Sequence, residues 1–74
     1  MTYRTTLTPQ EFALAIGQLG FQYLETSCYA TTYRRGNDLL SIEEPEHEIF
    51  EELEIATDFR LSDAEMKHLK ARKL

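Results

Sequence analysis

The stretch that most constrains the fold is 29–43, where turn chemistry separates two runs of residues that favour extended structure. At its centre, residues 35–38 have the sequence RGND. Gly36 and Asn37 are the residue types that most readily adopt positive φ, as the two central residues of a tight hairpin loop require. The sequence therefore predicts two antiparallel strands joined at this turn.

The turn fixes a register in which the numbers of facing residues add up to 73. The predicted core face consists of three facing pairs: Tyr29 with Glu44, Thr31 with Ile42, and Tyr33 with Leu40. The opposite face is mostly polar and is predicted to be wetted: Ala30, Thr32, Arg34, Leu39, Ser41 and Glu43. A slip of one residue would exchange the two faces and bury charged side chains, so the pattern favours this register alone.

An amphipathic helix is predicted to begin after Thr8 and to end at about Leu19. Thr8 is a good N-cap, Pro9 suits the first helical position, and Glu11 completes a capping box. Gly20 stands where a left-handed C-terminal cap is needed. The stripe expected to face the core contains Phe12, Ala15, Ile16 and Leu19, with Leu7 predicted to pack against Phe12 as a hydrophobic staple.

A second helix is predicted near the end of the chain by the same signals. Ser62 is its expected N-cap and Glu65 completes a second capping box, with Met66 and Leu69 facing inward. Basic residues stabilise a helix C-terminus. The sequence supplies them there: Lys70, Arg72 and Lys73.

The remaining segments complete an α+β pattern. Residues 1–6 fit either an edge strand or a loose end, and 21–25 fit a strand followed by a turn at Thr26 and Ser27. Strict alternation from 53 to 61 favours a fourth strand after a helical turn at 46–52, although a continuous helix through Thr57 is the alternative. We expect a single α+β domain, 1–74, with a three- to four-stranded antiparallel sheet between an N-terminal and a C-terminal helix.

Length and composition set the class of protein. A chain of 74 residues that is 42% hydrophobic is apolar enough to fold as one small domain and too short for a large enzyme cleft. The single cysteine, Cys28, has no partner for an internal disulfide, and there is no apolar run of about 18 residues and no basic-then-apolar leader. These features predict a cytoplasmic protein without a membrane span, and no motif calls for a cofactor or a metal.

Charge is strongly segregated along the chain. Residues 43–66 contain ten Asp or Glu residues and one basic residue, Arg60, within a net charge of −5. Such an acidic block disfavours nucleic-acid phosphates and favours encounter with a basic partner protein. The predicted partner-binding residues are Glu43, Glu44, Glu46, Glu48, Glu51, Glu52, Glu54 and Asp58.

Two other kinds of site are alternatives. A nucleic-acid contact would use the basic residues of the hairpin tip and the C-terminus: Arg34, Arg35, Lys70, Arg72 and Lys73. A metal-dependent enzyme would use the glutamates around His47, although their spacing matches no defined metal loop. A catalytic thiol at Cys28 would need a histidine base, and neither His47 nor His68 lies in a recognisable setting for one.

The order of an opening helix, Gly20-Phe21, a hairpin and Pro45-Glu46-His47 resembles the HicA-type small toxins. That resemblance implies a double-stranded-RNA-binding-like fold with the order α-β-β-β-α. Where the family has its catalytic Gly-Ser-His sequence, this chain has Thr26-Ser27-Cys28, and its surface is acidic where the family's is typically basic. Ribonuclease activity is therefore not part of the expectation.

Taken together, these features predict a non-enzymatic protein-interaction module: a small adaptor, a regulator or an inhibitor encoded by a mobile element. Its acidic surface would meet a basic partner protein, in one form as a nucleic-acid mimic. A homodimer is compatible with the sequence. An RNA-binding or degenerate HicA-like domain and a metal-dependent enzyme are the rival hypotheses.

Overall fold

The computed structural model describes residues 1–27, 30–43 and 52–74. Within these ranges the chain forms six strands and two helices, so the predicted α+β class is confirmed. In chain order the elements are β1 (Thr2–Thr5), α1 (Pro9–Gln18), β2 (Gln22–Ser27), β3 (Ala30–Arg35), β4 (Asp38–Glu43), β5 (Leu53–Thr57), α2 (Asp63–His68) and β6 (Ala71–Lys73).

The described strands form one antiparallel sheet in the order β2-β3-β4-β5-β1-β6. The sheet is therefore larger than the predicted three or four strands. The N-terminal strand β1 lies inside the sheet, between β5 and β6, and not at an edge. Each helix joins two strands that run in the same direction, which requires a crossover. The α1 connection passes β5, β4 and β3, and the α2 connection passes β1.

The central hairpin has the predicted register. Tyr33 faces Leu40 and Thr31 faces Ile42, and both Leu40 and Ile42 are buried. Gly36 adopts a φ of +61°, whereas Asn37 has a negative φ. Only the first central residue is left-handed, which is typical of a type II′ turn and not of type I′, where both residues have positive φ.

Helix α1 begins and ends as predicted. Thr8 is the N-cap, its hydroxyl accepts the Glu11 N–H at 3.2 Å, and the Glu11 carboxylate accepts the Thr8 N–H at 2.9 Å. Gly20 has a φ of +88°, which a side chain would resist, and so ends the helix. The buried side chains of α1 are Phe12 and Ile16, both on the predicted stripe.

Helix α2 has the predicted capping box but is shorter than expected. Ser62 and Glu65 exchange hydrogen bonds at 2.9 and 3.1 Å, and Leu69 is fully buried. The helix ends at His68, Lys70 adopts a φ of +48°, and the following residues form β6. The prediction that Lys70, Arg72 and Lys73 extend a helix C-terminus is therefore wrong. Because β6 pairs with β1, it provides hydrogen-bond partners for backbone groups on the edge of β1 that would otherwise be unpaired.

Alternation correctly predicted the strand that begins at Leu53, and the helical alternative is wrong for Leu53–Thr57. The strand ends at Thr57, earlier than residue 61, and the Thr57 hydroxyl donates to the Phe59 carbonyl at 2.5 Å across the bend that follows. Thr26 and Ser27 belong to β2, and so the turn predicted there is wrong. The predicted helical turn at 46–52 lies almost wholly outside the described residues, as do Cys28 and Tyr29.

One hydrophobic core lies between the helices and one face of the sheet. Leu40, Ile42 and Ile55 contribute from the sheet, and the buried residues of α1 pack in the same cluster. Tyr3 is also buried, and its hydroxyl accepts the Leu61 N–H at 3.0 Å. The molecule thus has two layers, helices on a sheet. None of the helices placed by the structure is long and apolar enough to cross a membrane.

Candidate functional site: the open face of the sheet

The face of the sheet that points away from the core carries no helix in the described part of the chain. Burial alternates along β5, so that Leu53, Ile55 and Thr57 are buried while Glu54 and Ala56 are exposed. The same parity places the predicted wetted residues of β3 and β4 on this side. We call this side the open face.

A shallow groove crosses the open face. Its floor follows a row of small side chains on neighbouring strands, because Ala56 faces Ser41, Ser41 faces Thr32, and Thr32 faces Glu25. The groove has a volume of about 410 Å³. The residues that line this open-face groove are Leu24, Glu25, Thr32, Leu39, Leu40, Ser41, Ala56, Thr57 and Asp58.

Two exposed leucines form the apolar walls of the groove. Leu24 is 44% exposed and Leu39 is 39% exposed. Leu24 lies where the β2–β3 register shifts, at a β-bulge between Tyr23 and Glu25. A bulge re-aims the side chains of a strand. It allows both Leu24 and Glu25 to line the groove.

Asp58 is held at the opposite end of the groove. Its backbone N–H donates to the Leu39 carbonyl at 3.3 Å, and its carboxylate accepts the Leu39 N–H at 3.0 Å. These contacts extend the pairing of β4 and β5 beyond Thr57. The Asp58 carboxylate is therefore fixed on the sheet, while the exposed Glu25 has no ion pair within the described residues.

Beside the groove floor, two carboxylates face each other directly. Glu43 on β4 is opposite Glu54 on β5, and Glu54 is in turn opposite Arg4 on β1. Like charges placed opposite each other on neighbouring strands destabilise a sheet, and Arg4, on the other side of Glu54, acts against that repulsion. Together with Glu25 and Asp58, the pair gives the described open face four carboxylates.

Only half of the predicted partner-binding residues are described. Glu43, Glu54 and Asp58 lie on the open face, and Glu52 precedes β5 and forms an ion pair with Arg72. The hydrogen bond from Arg72 lowers the pKa of the Glu52 carboxyl, and Arg4 acts in the same direction. The other four lie outside the described residues: Glu44, Glu46, Glu48 and Glu51.

The two hairpin arginines point to opposite faces. Arg34 is exposed on the open face, opposite Leu39. Arg35 folds toward the helices, where it donates to the Leu19 carbonyl at 3.1 Å and pairs with Glu65 at 2.8 Å. Its guanidinium also lies 4.4 Å from the centre of the Phe21 ring. Arg35 is thus engaged within the fold, and the pair does not form one basic tip.

The C-terminal basic residues lie at the other side of the sheet. Arg72 and Lys73 belong to β6, an edge strand of the described sheet, whereas the hairpin arginines are on β3 near the opposite edge. Arg72 is paired with Glu52, and Lys70 follows α2 with an exposed side chain. The alternative nucleic-acid residues are therefore dispersed over the described part of the molecule.

The candidate metal and thiol residues, His47 and Cys28, lie outside the described residues. Among the residues that are described, no three His, Cys, Asp or Glu side chains lie together in a way that would hold a metal ion. His68, which is described, contacts the Ala15 carbonyl at 3.2 Å and so links α2 to α1.

Three residues of the groove were not singled out by sequence reasoning: Leu24, Glu25 and Ala56. Glu25 belongs to a segment without charge segregation, and its position depends on a bulge that has no sequence signature here. Tyr23 is 63% exposed, and its ring packs edge-on against the ring of the half-buried Tyr33, with 6.3 Å between the ring centres.

Within the described residues, the fold and groove define a two-layer α+β protein in which no helix covers one face of the sheet. Neither a protein-family model, nor a curated protein, nor a solved structure matches this chain.

Proposed function

We propose that this chain is a non-enzymatic protein-interaction module that presents the open face to a basic partner protein. The observation that carries the proposal is the facing pair Glu43 and Glu54. It places repulsive charge where a sheet would be more stable without it. A surface that gives up stability in this way is typical of a binding site, where a partner's cations compensate the charge.

Two further features support the same role. The open face combines exposed apolar walls, Leu24 and Leu39, with carboxylates around them. Interfaces commonly join an apolar centre to a polar surround in this manner. The charge of residues 43–66 as a whole adds long-range attraction for a basic partner, and this steering weakens as salt is added.

The proposal places the module in the cytoplasm, because its one cysteine provides no internal disulfide for an oxidising compartment. A small adaptor, a regulator and an inhibitor that mimics nucleic acid are all consistent with an acidic contact face. The rival RNA-binding hypothesis relies on residues that the fold disperses, and Arg35 is occupied by Glu65 and the Leu19 carbonyl.

Replacing Glu43 with lysine is expected to have opposite effects on the stability of the fold and on the rate of association with the partner. Glu43→Lys converts the facing pair into an opposite-charge pair, so we expect the free energy of unfolding to rise by about 0.2–1 kcal/mol. The same change should slow association with a basic partner, because it removes attraction from the contact face. Urea denaturation measures the first effect. Stopped-flow or surface-plasmon association with the partner recovered by pull-down from the native host measures the second.

Asp63→Lys is the matched control, since it makes the same charge change on the helix layer. It should leave the association rate closer to that of the wild type than Glu43→Lys does. If the two variants slow association equally, only net charge matters and the open face is not the contact surface. If Glu43→Lys speeds binding to structured RNA and has no effect on the protein partner, the RNA-binding hypothesis is favoured instead.

A further inference from the structure

We infer that the open-face groove accepts one extended segment of a partner protein that carries two basic residues four positions apart. This inference rests on the proposed function and specifies the chemistry of the partner. It follows from three properties of the groove: its length across the strands, the carboxylates at its two ends, and the hydroxyl groups on its floor.

The length of the groove sets the spacing of the basic residues. Glu25 lies on β2 and Asp58 follows β5, so three gaps between neighbouring strands separate them. Strands lie about 4.8 Å apart, which gives about 14 Å between the two positions when measured perpendicular to the strands. An extended chain rises about 3.3 Å per residue, so residues four apart span about 13 Å and point to the same side. One guanidinium is too short to reach both carboxylates.

The floor suits an extended backbone. The hydroxyls of Thr32 and Ser41 are half-buried, and neither makes a hydrogen bond to any other group in the described part of the chain. They are free to bond the backbone of a segment that crosses the strands. Between the two ends, the exposed Leu24 and Leu39 flank the position where the middle residue of such a segment would point inward.

The charges around the groove favour this occupant. Asp58 is fixed by Leu39, Glu25 is exposed, and Glu43 and Glu54 lie in the next row along the strands. Arg34 is an opposing charge on the same side, next to Leu39, and Arg4 is another, opposite Glu54. Arg34 therefore weakens the attraction for a basic segment. Removing the charge of Arg34 should strengthen binding, whereas removing a carboxylate of the groove should weaken it.

Two peptides of identical composition test the spacing. Acetylated and amidated GRALARG places its arginines four apart with leucine between them on the same side, whereas GARRLAG places them adjacent. Titration into the full-length chain, followed by amide NMR shifts, should show about threefold tighter binding of GRALARG, with shifts at Thr32, Ser41 and Ala56. Equal affinities, or shifts confined to the helices, would overturn the inference while leaving the proposed acidic contact face intact.

Matched variants then assign the ends of the groove. Glu25→Gln and Asp58→Asn should each weaken the binding of GRALARG by about two- to fivefold, the range expected for one exposed ion pair. The double variant should bind both peptides with equal affinity. Asn at 58 retains an acceptor for the Leu39 N–H. Asp63→Asn, on the helix layer, should change the affinity for neither peptide. Arg34→Gln should tighten the binding of GRALARG. Weaker binding in that variant, or loss in Asp63→Asn equal to that in Asp58→Asn, would contradict the assigned site.

Discussion

Arg35 shows how one side chain joins three parts of the molecule. It starts from the hairpin tip, donates to the carbonyl at the end of α1, and pairs with Glu65 on α2. It also covers the Phe21 ring. Its neighbour Arg34 has the same chemistry and points to solvent on the open face. Adjacent residues on a strand point to opposite faces, and that parity alone gives the two arginines different roles.

Alanine substitutions of Arg34 and Arg35 allow the contributions of the two side chains to stability to be compared directly. Arg35→Ala removes a charged hydrogen bond to a backbone carbonyl and leaves Glu65 without its cation, so we expect the free energy of unfolding to fall by about 1–3 kcal/mol. Arg34→Ala should change it by less than about 0.5 kcal/mol. Urea denaturation of both variants provides the measurement. Equal losses would show that Arg35 is not a structural bridge.

Glu65 predicts a dependence of stability on pH. Burial raises the pKa of its carboxyl, but the hydrogen bonds from the Ser62 N–H and from Arg35 outweigh that effect, and the net pKa is lowered. A group whose pKa is lowered by folding contributes stability above its unfolded pKa of about 4.3, and that contribution is lost as the pH falls through the folded pKa.

We therefore expect Glu65→Gln to be less stable than the wild type at pH 7, and the difference to shrink as the pH falls below about 4. Glutamine keeps an acceptor for the capping box, so the comparison isolates the charge. Denaturation curves of both proteins at a series of pH values measure the difference in their free energies of unfolding. A difference that stays constant or grows on acidification would contradict the role assigned to the ion pair.

At the scale of elements, adjacent leucines on β4 separate the two faces of the sheet. Leu40 is 1% exposed and belongs to the core, whereas Leu39 is 39% exposed on the open face. Leu40→Ala should cost about 2–5 kcal/mol, because it leaves a cavity among well-packed neighbours, while Leu39→Ala should cost less than about 0.5 kcal/mol. Chemical denaturation of the two variants tests the assignment. The reverse ranking would mean that the faces are exchanged.

Local signals predicted the elements they govern. The two capping boxes, the left-handed residue after α1 and the hairpin register depend on residues close in sequence, and all four are present in the structure. Strand β6 was missed because three residues are too few to show alternation, and it is stabilised by pairing with β1, far away in the chain. The bulge in β2 was missed for the same reason. Its position depends on the neighbouring strand.

At the scale of the whole molecule, the strand order could not be derived from sequence. Nothing local indicates that β1 enters the sheet between β5 and β6, since its partners lie about fifty and seventy residues away. The candidate site is a product of that order. The groove requires β2, β3, β4 and β5 side by side, and of its two acidic residues only Asp58, after β5, belongs to the acidic block that is visible in the sequence.

The strand order predicts an unusual pattern of hydrogen exchange. Residues near a chain end usually exchange fast, but β1 is paired on both sides, and the N–H of Thr57 also bonds the Met1 carbonyl at 2.9 Å. We expect amides of Thr2–Thr5 to exchange more slowly than those of Gln22–Ser27, which is paired on one side in the described sheet. Exchange measured by NMR tests this order. Fast exchange throughout β1 would contradict its internal position.

The bulge in β2 also has a consequence for solubility. An edge strand with a regular backbone is a template on which a second chain can add, and β2 carries the exposed Tyr23 and Leu24, both of which favour such addition. The extra residue at the bulge interrupts the even spacing of donors and acceptors that a regular edge would offer, and Glu25 beside it adds charge. The irregularity that shapes one wall of the groove therefore also opposes polymerisation of the sheet through its edge.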